Sequence, residues 1–103
     1  MLNKTDQETL IILQEECSEV IQSVSKIFRF GLHDPKPNQN MTNLDYLETE
    51  LGDVLCLIDI LISNGVVNAK NIDDAAGRKK EKLKVFSNIF TVKENIQYES
   101  ETN

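Results

Sequence analysis

The chain has no Trp, one His, two Cys, four Gly and two Pro in 103 residues, and its aromatic content is 6%. Two cysteines cannot supply a disulfide framework, and the start of the chain has no secretory-signal character. One histidine gives no partner for a zinc pair or a Glu-x-x-His di-iron bundle. The longest purely apolar runs, such as Leu10 to Leu13, fall far short of the ~20 residues that a membrane span requires. Scarce Gly and Pro exclude collagen-like and low-complexity classes, and a core without Trp must be mainly aliphatic. A soluble protein of the cytoplasm is the expectation, with no membrane partner.

Basic residues are also in deficit, at 11 against 17 acids, for a net charge of -6. Phosphate-backbone contacts are made largely by Lys and Arg, so this balance argues against nucleic acid as a partner. The charges are segregated. From Asp6 to Asp59 eleven acids face only Lys26, Arg29 and Lys36, whereas Arg78, Lys79, Lys80, Lys82 and Lys84 fall within seven positions.

Apolar residues are 40% of the chain and recur at helical intervals. The capping-box spacing Thr5 to Glu8, followed by Leu10, Leu13, Cys17, Val20, Val24 and Ile27, predicts a helix over about residues 6 to 29. Gly31, Pro35 and Pro37 then enforce a loop. Thr42 with Asp45, ahead of Leu44, Leu47, Leu51, Val54, Ile58 and Leu61, predicts a second helix ending near Ser63-Asn64-Gly65. A third is expected over about 69 to 87, with Ile72, Ala75, Ala76, Leu83 and Phe86 inward. Ile89, Phe90 and Val92 suggest a short extended piece, and residues 94 to 103 a loose polar tail. The fold class is therefore all-α: a single domain over residues 1–103 with a helical core at about 6–87. Cys17 and Cys56, beside apolar neighbours, read as buried small hydrophobes.

The chemistry resides in two sets of acids, Glu15-Glu16-Cys17-Ser18-Glu19 and Glu50-Leu51-Gly52-Asp53. Glu16 with Glu19, and Glu50 with Asp53, are i, i+3 pairs, so each pair shares one helix face. At 100° per residue the first pair lies with Ile12 and Ser23, and the second among Tyr46, Leu57 and Ile60, on secondary stripes bordered by apolar residues. Four carboxylates gathered there would repel one another unless a cation joined them. An all-oxygen donor set favours Mg²⁺, with Mn²⁺ as a substitute. A single acidic pair is usually a solvated helix face; two pairs on apolar-bordered stripes make a metal site the better reading.

Glu-Glu-x-x-Glu on one helix and Glu-x-x-Asp on the next resemble the MazG-like all-α nucleoside triphosphate pyrophosphohydrolases. The similarity extends through Leu13 to Gln22, Ser25 to Gly31 and Leu47 to Leu55, and spans about residues 8 to 86. It implies hydrolysis of a nucleoside triphosphate between the α and β phosphates, with Glu16, Glu19, Glu50 and Asp53 as Mg²⁺ ligands and Glu15 as an acid that orients or deprotonates water. The thirty residues between Glu19 and Glu50 are a long gap for this family. Arg78, Lys79 and Lys82 on the third helix, and Lys26 and Arg29 beyond the first motif, are candidates for the phosphates, each with a solvated basic face as the alternative. The breadth of apolar surface implies self-association, and the family assembles as homodimers or homotetramers of short helical protomers. The competing reading is a non-catalytic helical dimerisation module whose acidic face binds a basic protein.

Overall fold

The computed structural model describes residues 1–34 and 39–90. Helix α1 spans Lys4–Phe30, α2 spans Asn43–Ser63 and α3 spans Ala69–Phe86, and no strand occurs among the described residues. The chain forms two compact units, Met1–Val67 and Asn68–Asn103.

The start of α1 differs from the predicted capping box. Asn3 is the cap, its Oδ1 accepting from the Asp6 amide at 2.7 Å, and Thr5 already lies inside the helix. Asn satisfies an orphan amide as well as Thr does, and the helix gains the residues before Asp6. The Thr5 carbonyl instead accepts from the Thr9 hydroxyl at 2.8 Å. At the far end Gly31 has φ 101°, a region that L side chains rarely adopt, and its amide closes α1 on the Ile27 carbonyl.

Helix α2 starts with the predicted reciprocal capping box. The Thr42 hydroxyl accepts from the Asp45 amide at 3.1 Å, and the Asp45 carboxylate accepts from the Thr42 amide at 2.9 Å. Asn43 Nδ2 donates to the Gly31 carbonyl at 2.8 Å and the Leu44 amide to Leu32 at 2.9 Å, which fastens the start of α2 to the end of α1. At the opposite end Asn64 Nδ2 reaches Asp6 at 3.5 Å. The two helices are therefore an antiparallel hairpin.

Covered positions on α1 include the series Asp6, Thr9, Leu13, Glu16, Val20, Ser23 and Ile27, alternating steps of three and four, with Leu10, Ile12 and Lys26 half-covered beside it. On α2 they include the series Asn43, Leu47, Glu50, Val54, Leu57 and Leu61, with Leu44, Asp45, Tyr46, Ile58 and Ile62 half-covered beside it. Both follow the 3.5-residue repeat of helices packed along a common seam. The seam passes through Glu16, so Cys17 and Val24 lie to its side and are exposed, while Leu10 is half-covered. Cys17 and Cys56 are accordingly exposed, not buried as their apolar neighbours suggested. Ile21, Val24 and Phe28 on α1, and Leu51 and Leu55 on α2, are exposed as well.

Helix α3, capped by Asn68, buries none of its residues. Of the five predicted inward positions only Leu83 is half-covered, and Phe86 is 82% exposed. Among the described residues its unit contains no second helix for an apolar stripe to pack against. Residues 87–90 form a bend and turn in place of the expected extended piece, and Val92 and the tail lie outside the described residues.

Seam packing predicts a ranking of losses. Leu61, only 2% exposed, should cost about 2–5 kcal/mol on truncation to Ala. Thr42→Ala should cost about 0.5–2 kcal/mol through the lost cap. Urea unfolding of both variants checks this, and a smaller loss at Leu61 than at Thr42 would contradict the described core.

Candidate metal centre

Glu16 of α1 occupies a seam position opposite the acids of α2, so the antiparallel pairing sets acids of both motifs side by side. Carboxylate oxygens of Glu16, Glu50 and Asp53 all lie within 4.8 Å of one another. Glu16 and Glu50 are half-buried and Asp53 is exposed. Seam positions ordinarily take apolar knobs, and charged groups there lose hydration without an opposite charge in return.

The electrostatic consequence falls on Glu16, whose carboxyl is pushed above its ordinary range. Loss of hydration is the largest cause, followed by the Asp53 charge, a hydrogen bond with the Glu50 side chain, and the charges of Glu50 and Glu19. All five influences favour the neutral form. No Lys or Arg makes an ion pair with any of these acids among the described residues, where the two pairs are Lys70–Asp74 and Lys84–Glu81 on α3.

Glu19 is exposed and stands outside the group of three, near enough to act on Glu16 through its charge. Glu15 is also exposed and outside the group, and its carbonyl accepts from the Ser18 hydroxyl at 2.7 Å. Glu48 and Asp59 are exposed, as their lack of apolar company suggested.

Two concavities adjoin the acids along the seam. One, of about 290 Å³, is lined by Ile12 and Glu16 of α1 and by Asp53, Cys56 and Leu57 of α2. The other, of about 140 Å³, lies toward the interhelix loop. It takes Gln22, Ser23 and Lys26 from α1 and Asn43 and Tyr46 from α2, and shares Glu19 and Glu50 with the acidic cluster. Tyr46 also hydrogen-bonds Gln39 across the loop end.

Of the basic candidates, Lys26 lines the smaller concavity, and Arg29 is exposed with its guanidinium 4.7 Å from the Phe30 ring centroid. Arg78, Lys79 and Lys82 are exposed on α3. Ser23, Asn43 and Tyr46 carry no motif of their own. Ser23 and Tyr46 nevertheless share the angular stripes of the two acid pairs, and that was the available signal. Asn43 is concealed beside the cap Thr42, where local capping already accounts for a polar residue.

Residues 4–85 match the family model for the MazG nucleotide pyrophosphohydrolase domain. The chain belongs to this family. The match runs through all three helices, and the resemblance read from Glu15 to Glu19 and Glu50 to Asp53 falls within it. Searches of curated proteins and of solved structures gave no significant match. No helix among the described residues is long and apolar enough to cross a membrane.

A proton linkage follows from Glu16. A carboxyl whose folded-state pKa lies above its unfolded value, about 4.3 for Glu, supports the fold below that value and loses the contribution as pH rises through the folded pKa. Glu16→Gln should therefore gain thermal stability relative to the metal-free native protein as pH rises above this range. A difference in Tm that stays constant from pH 4 to pH 7 would contradict it.

Proposed function

We propose that the chain is a Mg²⁺-dependent nucleoside triphosphate pyrophosphohydrolase that cleaves between the α and β phosphates. The observation that carries the reading is the clustering of Glu16, Glu50 and Asp53 oxygens within 4.8 Å in a chain of the MazG family. Three hard oxygen donors of like charge, with no protein cation beside them among the described residues, fit a divalent ion such as Mg²⁺ or Mn²⁺. Glu16, Glu50 and Asp53 would hold it and Glu19, one turn along α1, would complete the set. A divalent ion bound there supplies charge compensation for phosphate oxygens and a bound water of lowered pKa.

The chain's own residues then have distinct tasks. The acids of the two helices fix where the triphosphate can approach, since carboxylates repel bare phosphate. Glu15 serves as the acid that orients or deprotonates water. The water oxygen forms a bond to phosphorus as the bridging P–O bond between the α and β phosphates breaks, and monophosphate, pyrophosphate and a proton are released. Lys26, at the concavity that shares Glu19 and Glu50, is the nearest support for a phosphate among the basic candidates. Arg29 and the α3 residues Arg78, Lys79 and Lys82 remain further candidates for the outer phosphates. The exposed thiols agree with action in the reducing cytoplasm.

We also propose that the protein self-associates as a homodimer or homotetramer. Cys17, Ile21, Val24 and Phe28 recur at steps of four, three and four along α1 and are exposed, as are Leu51 and Leu55 on α2. Only Leu57 and Leu61 are buried apolar residues among those described, a small core for the hairpin to rely on alone.

Two outcomes are expected. In a panel of ribo- and deoxyribonucleoside triphosphates with Mg²⁺, the native protein should release pyrophosphate and monophosphate. Glu50→Gln should lose about 100-fold or more of this activity, ~2.7 kcal/mol of transition-state stabilisation, with the fold intact. Lys80→Ala, on the basic helix but outside the proposed phosphate set, should stay close to native. Full activity in Glu50→Gln would remove that residue from the metal set, and inertness toward every triphosphate would favour the interaction module. In sedimentation at micromolar concentration the native protein should be oligomeric and Ile21→Glu shifted toward monomer. A stable native monomer would refute self-association.

A further inference from the structure

Four hydroxyls on the helices turn back to their own backbone: Thr9 to the Thr5 carbonyl, Ser18 to Glu15, Thr49 to Asp45 and Ser87 to Leu83, at 2.7–3.0 Å. Ser23 does not. It is 7% exposed, as buried as Thr9, yet its hydroxyl makes no hydrogen bond among the described residues. Asn43, 3% exposed, uses Nδ2 on the Gly31 carbonyl, and its Oδ1 accepts nothing among those residues. Lys26 makes no ion pair there within 4.0 Å, although Glu19 and Glu50 line the same cavity. Leaving a buried polar group without a partner is unfavourable, so two such groups on one concavity are a costly arrangement for the protein alone, and the half-covered Lys26 stands beside them.

A ligand that satisfies all three brings a hydrogen-bond donor for Asn43 Oδ1, a hydrogen-bonding group for Ser23 and an anionic oxygen for Lys26, and the pentose is the part of a nucleotide that offers hydroxyls directly beside a phosphate. The cavity, at about 140 Å³, is well below the ~300 Å³ at which whole-ligand pockets begin, so it takes a fragment. Its position beside Glu19 and Glu50 joins that fragment to whatever the acidic cluster handles. We infer that this cavity receives the pentose of the nucleotide, with Asn43 Oδ1 and the Ser23 hydroxyl reading the sugar hydroxyls and Lys26 holding the adjoining phosphate. The inference rests on the nucleotide reading and adds a substrate requirement to it: a sugar that keeps its hydroxyls. A site built to hydrogen-bond a hydroxyl rejects the analogue lacking it, because its own groups are then left unpaired.

The test compares kcat/KM for ribo-, 2′-deoxy-, 3′-deoxy- and 2′,3′-dideoxynucleoside triphosphates of one base. The native protein should lose at least about tenfold between the ribo and dideoxy substrates. Ser23→Ala should compress this ratio with no loss of Tm, since removing an unpartnered buried hydroxyl does not weaken the fold. Lys26→Met should raise KM for all four alike. Equal turnover of ribo and dideoxy substrates by an active native protein overturns the inference and leaves the pyrophosphohydrolase reading standing. If the native protein hydrolyses no triphosphate, that reading fails, and ribose 5-phosphate followed by NMR decides the cavity. Saturable shifts of the Asn43 side-chain amide that vanish in Lys26→Met retain a sugar-phosphate site, and unmoved signals overturn it.

Discussion

The structure turns on like charge held inside a helix-packing seam. Glu16 and Glu50 stand at positions of a 3.5-residue repeat where two helices would otherwise interlock apolar side chains, and Asp53 adds a third carboxylate within 4.8 Å. Repulsion and lost hydration act against this contact, and the raised Glu16 pKa is its direct mark. The hairpin tolerates the conflict because its ends are fastened elsewhere. Leu57 and Leu61 pack the half nearer the Asp6–Asn64 end, and Asn43 with Leu44 ties the other to Gly31 and Leu32. The acids thus sit between two anchored ends, which keeps their oxygens close without asking the acids to provide cohesion.

Much of this was legible before any coordinates. The three helices, the Thr42–Asp45 box and the Gly31 stop depend on nearest-neighbour chemistry, and the sequence displays that chemistry directly. The acid pairs were legible because i, i+3 spacing converts to a shared face by helix geometry alone. Even the company they keep followed from angle: Ile12 and Leu57 line one concavity with Glu16 and Asp53, and Ser23 and Tyr46 line the other with Glu50.

What misled was the weighting of hydrophobicity. Of the apolar series Leu10, Leu13, Cys17, Val20, Val24 and Ile27, the seam takes Leu13, Val20 and Ile27 together with Asp6, Thr9, Glu16 and Ser23, and leaves Cys17 and Val24 exposed. A helix with two usable faces does not say in its own sequence which one its hairpin partner covers. The same ambiguity placed Cys17 and Cys56 inside and gave α3 an inward stripe of which only Leu83 is half-covered among the described residues. Glu19 illustrates the finer limit. It shares a face with Glu16, but at the edge of that face, where a few tens of degrees separate a group within the cluster from one that only feels its charge.

The fastening of Asn43 to Gly31 and of Leu44 to Leu32 has a consequence for chain length. Both bonds close the hairpin at the base of the connection, before the span from His33 to Met41 is reached. Residues added to or removed from that span alter neither the pairing of α1 with α2 nor the separation of their acids, and loop closure grows only slowly more costly with length. One residue inserted between Asn43 and Glu50, by contrast, would turn Glu50 and Asp53 by about 100° and advance them by about 1.5 Å, out of the seam. The unusual distance between the two acidic motifs is therefore length stored where the spacing of the acids does not register it, while the Tyr46–Gln39 hydrogen bond brings the end of that span to the smaller concavity.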